Sequence, residues 1–357
     1  MQTDLSPANK RYNSIDIAKG ICITFVMIAH YAWYESEKLK LLFPFWVDMA
    51  VPLFMVISGF VYTKSFQKNK ISSLENAYTL HSIVKKIIRY SVPFAIAFTV
   101  EEVFYIVLEN VHHSPAHILK TFIMGGFAPG SYYFPLMIQF VFYFPLIFVI
   151  IRKYKFKGVI ICFFINLLYE VLKFSYGMNL ECYRLLVFRY TLVIAYGCYL
   201  ATEDHKRRKF LSVLCFCFGL TYIIGYKYLG FTPIITSYWP ATSMWACLYL
   251  IPIAAPLIIN RAKNQVIETI GKASYDIFLV QMVYYNANIR GGADIVYKLV
   301  ENRVLQLVLS IVICVLIGLL FYYLETPLTK KIEKLSCNVL DRMIKPGATL
   351  ENDRNRP

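Results

Sequence analysis

Charge is scarce in this chain, and negative charge is scarcer still. Only 17% of its 357 residues are Asp, Glu, Lys or Arg, with 22 acidic against 37 basic side chains, while 58% are apolar. A water-facing surface needs roughly a quarter of its residues charged, so the composition argues against a soluble domain of this length. The nine cysteines contain no CxxC pair, and the CxC of Cys215 and Cys217 has no matching partner pair. A disulfide framework and a zinc site are therefore both unsupported, and no metal is expected. No internal repeat and no polar stretch long enough for a water-soluble domain interrupt the apolar runs. The first run, from Ile21, lacks a small-residue cleavage site after it; it reads as a retained helix and not as a signal peptide.

What is present is a series of apolar runs, each near the roughly 20 residues that a helix needs to cross hydrocarbon. They cover about 15–34, 43–63, 86–108, 132–151, 158–174, 184–201, 210–226, 243–260, 273–288 and 303–325. The expected fold is all-α: a polytopic integral membrane bundle of about ten transmembrane helices. Residues 1–334 form a single transmembrane domain, and 335–357 form a polar, disordered cytoplasmic tail. The ninth run is short, and Pro233 and Pro240 precede the eighth.

The net charge of +15 admits a nucleic-acid reading, and the distribution of charge decides against it. Of the 37 Lys and Arg residues, 26 fall in the N-terminus, in 64–89, 152–157, 205–209 and 261–272, and in the tail after Leu328. These segments alternate along the chain and so share one membrane face. Basic residues collect on the cytoplasmic side, which predicts a multi-pass inner-membrane protein with both termini cytoplasmic. The charge follows a membrane face and makes no single stripe for a nucleic acid.

Ionisable groups inside spans are costly and tend to face a cavity or a partner. The first span holds Asp16, Lys19 and His30, and His30 is the one histidine inside a predicted span. Lys19 and His30 are 11 residues apart, which puts them on one helix face with about 16 Å between them along the axis. Each has a plain structural reading too. His30 suits a hydrogen-bonded packing histidine, Lys19 a snorkelling interface lysine, and Asp16 a charge at a helix start.

The run Arg11-Tyr12-Asn13-Ser14-Ile15-Asp16-Ile17-Ala18-Lys19-Gly20, followed by His30, resembles the opening of the acyltransferase-3 family of membrane O-acyltransferases. Val51-Pro52-Leu53-Phe54-Met55-Val56-Ile57-Ser58-Gly59-Phe60 is similar to that family's apolar Ser-Gly-Phe block, and Pro52 is similar to its fucose-4-O-acetylase-like branch. Lys86-Ile87-Ile88-Arg89 with Pro93 resembles the basic-x-x-Arg…Pro motif. Ser131-Tyr132-Tyr133-Phe134 stands at an aromatic pair, Gly271-Lys272-Ala273-Ser274-Tyr275-Asp276 is close to the late Gly-Lys-x-Ser-Tyr block, and Glu325-Thr326-Pro327 matches the closing Glu-x-Pro. Two positions depart from the pattern. Gln281 stands where many members carry histidine, and Lys19 replaces a commoner arginine, which keeps the charge and loses the bidentate fork.

The resemblance implies transfer of an acetyl group from cytoplasmic acetyl-CoA to a hydroxyl of an extracytoplasmic carbohydrate or glycolipid acceptor at the lipid bilayer. It implies His30 as general base or acyl carrier, with Asp16 as a catalytic partner. Lys19, Lys86, Arg89 and Ser58 would bind the donor, the cations by charge-assisted bonds to CoA phosphates. Ser58 also reads as a small residue that permits close helix packing. Glu101, Glu102 and Glu170 are expected to pair with Arg184 or Arg189. Tyr132, Tyr133, Tyr238 and Trp239 read as interface aromatics or as a stacking surface for a sugar. A polysaccharide or small-solute exporter of the same fold is the alternative, and a scaffold subunit of a glycan-assembly complex is a third reading.

Overall fold

The computed structural model describes residues 13–128, 130–202, 209–233, 235, 237–259, 263–289 and 295–344. Among these residues there is no strand, and each expected apolar run meets a helix. The principal helices are α1 (Asn13–His30), α2 (Ala50–Lys68), α3 (Leu80–Glu109), α4 (Tyr133–Tyr154), α5 (Phe156–Ser175), α6 (Val187–Leu200, opening with a 3-10 turn), α7 (Lys209–Lys227), α8 (Met244–Ile258), α9 (Gln265–Lys272), α10 (Ser274–Ile289) and α11 (Arg303–Ile344). Six segments among the described residues are long and apolar enough to cross a membrane: Phe43–Lys68, Leu80–Glu109, Tyr133–Tyr154, Phe156–Ser175, Lys209–Lys227 and Arg303–Met343. The shorter α6 and α8 are also apolar, α10 has 16 residues, and α1 has 18 and carries Asp16 and Lys19.

Helices in lipid gain little from burying apolar surface against one another, so close backbone approach through small residues carries much of the packing. Two crossings show it. A Cβ on Gly59 of α2 would overlap the Ile194 carbonyl, and one on Gly197 of α6 would overlap the Val56 carbonyl. These glycines sit reciprocally at the α2–α6 crossing, which gives the glycine of the Ser-Gly-Phe block, Gly59, its packing role. At the α1–α9 crossing a Cβ on Gly20 would lie 2.5 Å from the Ile267 carbonyl, and one on Gly271 would overlap the carbonyl of Asp16. The glycines of the first and the late sequence blocks thus pack their two helices together.

Aromatic rings fill the space between α2 and α4. Tyr62 meets Phe140 edge-on at 4.8 Å, and Phe66 meets Phe148 at 5.1 Å. Phe94 of α3 stacks on Phe134 of α4 at 3.8 Å. Such pairs add about 0.5–1.5 kcal/mol each beyond their buried area, and together they hold α2, α3 and α4 as one wall.

The C-terminal end corrects an expectation. α11 continues unbroken to Ile344, so 335–344 is helical and not a disordered tail. The reason is docking on α3: His81 Nε2 donates to Asp341 Oδ1 at 3.0 Å, Arg89 and Glu333 lie 3.5 Å apart, and Cys337 is buried. Residues 345–357 of the expected tail lie outside the described residues.

Candidate active site

Two cavities enter the bundle and approach each other at one neck. The first, of about 310 Å³, is lined by Lys19 of α1, Ser58 and Tyr62 of α2, Lys86 and Arg89 of α3, and Tyr275 of α10, among others. The second, of about 320 Å³, is lined by His30 of α1, by Asp48, Tyr132, Arg189 and Thr242, and by Trp239. Val26 and Val51 line both. Val26 is one helical turn before His30 on the same strip of α1, so His30 stands just beyond the neck on the second-cavity side. The neighbouring residues Tyr132 and Tyr133 diverge, Tyr132 to the second cavity and Tyr133 to the first.

The first cavity is polar at one end and held by a frame of tyrosines. Tyr62 and Tyr90 join their hydroxyls at 3.0 Å, and Tyr275 donates to the Tyr90 carbonyl at 3.0 Å, which ties α2, α3 and α10. The Lys86 ammonium lies 5.0 Å from the Tyr62 ring centre and 4.8 Å from Phe66. Two aromatic faces keep that cation in place without neutralising it. Arg89 is largely exposed and faces Glu333. Lys19 is partly exposed, with its ammonium 4.0 Å from the Asp16 carboxylate.

His30 is the last residue of α1. Its Nδ1 lies 2.9 Å from Oε1 of Gln281, a fully buried residue of α10. An amide oxygen only accepts, so Nδ1 carries the proton and donates, and the lone pair remains on Nε2. Gly130, with φ +88°, packs on the ring: a Cβ there would lie 3.0 Å from His30 Cε1 and 3.2 Å from Phe278. No L side chain suits that backbone conformation or that space. The imidazole is therefore fixed in orientation and tautomer, and the carbonyl end of the α1 dipole favours positive charge developing on it.

Of the residues singled out from sequence, Lys19, Ser58, Lys86 and Arg89 come together around the first cavity, and His30 borders the second. Asp16 lines neither cavity. It is buried at the start of α1, about 21 Å from His30 along the axis, where it faces Lys19. The expected carboxylate–arginine pairs are replaced by others. Glu101 accepts from Asn286 Nδ2 at 2.7 Å, Glu102 lies 3.0 Å from His113 Nδ1, and Glu170 accepts from Tyr183 at 2.7 Å. Arg189 donates to Thr242 Oγ1 at 2.9 Å and Arg184 to Ser131 Oγ at 3.5 Å. Tyr275 belongs to the late Ser-Tyr block, whereas Tyr62 and Tyr90 at the first cavity, and Asp48, Gly130 and Thr242 at the second, carry no motif of their own. Their places follow from helix packing.

A family model described as an acyltransferase domain matches residues 12–323, nearly the whole chain. The curated proteins and the solved structures give no match.

Proposed function

The chain belongs to the acyltransferase-3 family and is a membrane acyltransferase, and we propose that it moves an acetyl group from cytoplasmic acetyl-CoA to a hydroxyl of a carbohydrate or glycolipid acceptor on the other side of the bilayer. The observation that carries this reading is the pair of cavities meeting at Val26 and Val51 with His30 beside the neck. The first cavity takes the pantetheine arm and its thioester. Its volume suits that thin chain and not the nucleotide, which stays at the mouth. There Lys86 and Arg89, with Lys19, hold CoA phosphates by charge-assisted bonds, since those charges cannot enter hydrocarbon unpaired. Asp16 positions Lys19 and touches no reacting atom. The bias of basic residues supports a mouth on the cytoplasmic face, in an inner membrane, with both termini on that side.

The second cavity takes the acceptor. An acceptor hydroxyl is too weak a nucleophile for a thioester unless its proton is removed as it attacks. His30 Nε2 takes that proton, the oxygen bonds to the carbonyl carbon, the C–S bond breaks, and the imidazolium returns the proton to the CoA thiolate. General-base help of this kind contributes typically 10²–10⁴-fold. In the alternative sequence Nε2 itself attacks the thioester, CoA leaves as the thiolate, and the acyl-imidazolium passes its acyl group to the acceptor oxygen, whose proton goes to the thiolate. Both sequences need Nε2 free, and the Gln281 contact leaves it so.

The test is purified protein in lipid nanodiscs, wild type beside His30→Ala, with acetyl-CoA binding and CoA release followed together. The expected result is release slowed by at least about 10²-fold with binding retained. Unchanged release would sink the role of His30, and no CoA binding by the wild type would sink the donor. A transient acyl adduct on His30, caught by mass spectrometry after a single turnover, selects the relay.

A further inference from the structure

The second cavity contains a cation that acyl transfer by His30 does not use. Arg189 is 4% exposed. Its guanidinium carbon lies 4.4 Å from the Trp239 ring centre, 4.6 Å from Tyr190 and 5.1 Å from Tyr183, so three aromatic walls surround it. One nitrogen, Nη2, donates to Thr242 Oγ1, while Nε and Nη1 are buried without a hydrogen-bond partner. No described carboxylate lies within ion-pair distance of it.

The charged groups nearby do not supply the missing partner. Glu170 is near enough to act on Arg189 electrostatically, but it is not within ion-pair distance of it: Oε1 accepts from the Tyr183 hydroxyl, and Oε2 is buried without a hydrogen-bond partner. Asp48 lines the same cavity, with Lys38 and Lys227 as its nearby cations. Lys173 lies 4.5 Å from the Tyr238 ring centre and adds to the positive side, as does Arg184 near Tyr132. A buried, unpaired guanidinium costs several kcal/mol that aromatic faces offset only in part. A counter-charge supplied by a ligand removes that cost. Both Arg189 and His30 line this cavity, so a group bound by the first places its neighbouring hydroxyls near the second.

We infer that Arg189 binds an anionic group, a carboxylate or a phosphate, on the acceptor whose hydroxyl is acylated, with Trp239 beside the ring that carries it. The inference rests on the acyl-transfer reading above and narrows its acceptor to an acidic one. A planar fork with unpaired N–H groups suits an oxyanion, and the half-buried Trp239, 5.5 Å from Tyr132, suits the face of a sugar.

Three probes test it on the full chain in nanodiscs: methyl β-D-glucuronide for the carboxylate, glucose 1-phosphate for the phosphate, and neutral methyl β-D-glucoside. Binding is read by tryptophan fluorescence, with Trp239→Phe identifying the reporting ring, and acyl transfer by mass. The wild type should bind one acidic probe at least about tenfold more tightly than the neutral one, and which probe it is identifies the source of the charge. Arg189→Gln should abolish the preference, and Arg189→Lys should retain part of it. If Arg189→Gln does not fold, the loss in Arg189→Lys and the wild-type preference itself still decide. Equal binding of all three probes by the wild type, no binding of any, or a preference that survives Arg189→Gln overturns the inference. Failure of the acyl-transfer reading looks different: acetyl-CoA is not consumed, while the charge preference and its dependence on Arg189 persist.

Discussion

Replacing Gln281 by leucine should lower the rate of acyl transfer without lowering the stability of the fold. Gln281 is fully buried; its Oε1 accepts the Nδ1 proton of His30 at 2.9 Å, and its Nε2 has no hydrogen-bond partner. Leucine leaves the His30 Nδ1–H without its acceptor, about 1–3 kcal/mol, and at the same time removes a buried amide N–H₂ whose unmet desolvation costs about 1–3 kcal/mol. The two effects on folding are of the same size and opposite sign, so they nearly cancel. The effect on chemistry does not cancel. Without the acceptor, His30 loses both its fixed orientation and the bond that strengthens as the ring becomes positive, about 1.5–3 kcal/mol for a charge-assisted contact. At 1.36 kcal/mol per decade, that is a fall in kcat of roughly 10- to 150-fold. The KM for acetyl-CoA should stay within about twofold, because the residues proposed to hold the donor line the other cavity. The assay is initial-rate CoA release with a thiol reagent across acetyl-CoA concentrations, beside thermal unfolding of the same samples. A kcat within twofold of wild type, or a loss carried by KM, would refute the assignment of Gln281 as the positioning residue for His30.

Three other outcomes follow from the same geometry. Lys86→Ala should raise the KM for acetyl-CoA about tenfold with little change in kcat, and raising the salt should narrow the gap to wild type; a kcat effect alone would contradict a phosphate-binding role. Val26→Phe narrows the neck shared by the two cavities, so CoA binding measured by calorimetry should persist while transfer falls at least tenfold; unimpaired transfer would show that the thioester takes another path. Gly59→Val directs a side chain at the Ile194 carbonyl, and overpacking of about 1–3 kcal/mol or more should lower the unfolding temperature, whereas an unchanged melting curve would mean that α2 and α6 can separate freely.

Much of the fold was legible because the bilayer restricts what a chain can do. Runs of about 20 apolar residues have few alternatives to helices when backbone groups must pair within the segment, and every expected run meets one. Boundaries were legible less well. The first helix stops at His30 and not near 34, where Trp33 Nε1 donates back to the Ile28 carbonyl and turns the chain. The last helix outruns its apolar stretch because polar contacts from Asp341 and Glu333 to α3 hold it, and hydropathy contains no record of such contacts.

The sequence by itself determined the class of protein, the family, and the placing of Lys19 and His30 on one face of one helix, because those depend on local spacing and composition. Tertiary structure alone decided which groups meet. It placed Gln281 on His30, 251 positions away, joined Lys19 and Ser58 with Lys86 and Arg89 around one cavity, and separated Asp16 from the histidine. It gave Arg189 a threonine and three aromatic rings in place of a carboxylate. Helical periodicity specifies the direction of a side chain within its own helix. The neighbour it finds depends on how helices far apart in the chain cross, and here glycine contacts such as Gly20 with Ile267 and Gly59 with Ile194 set those crossings.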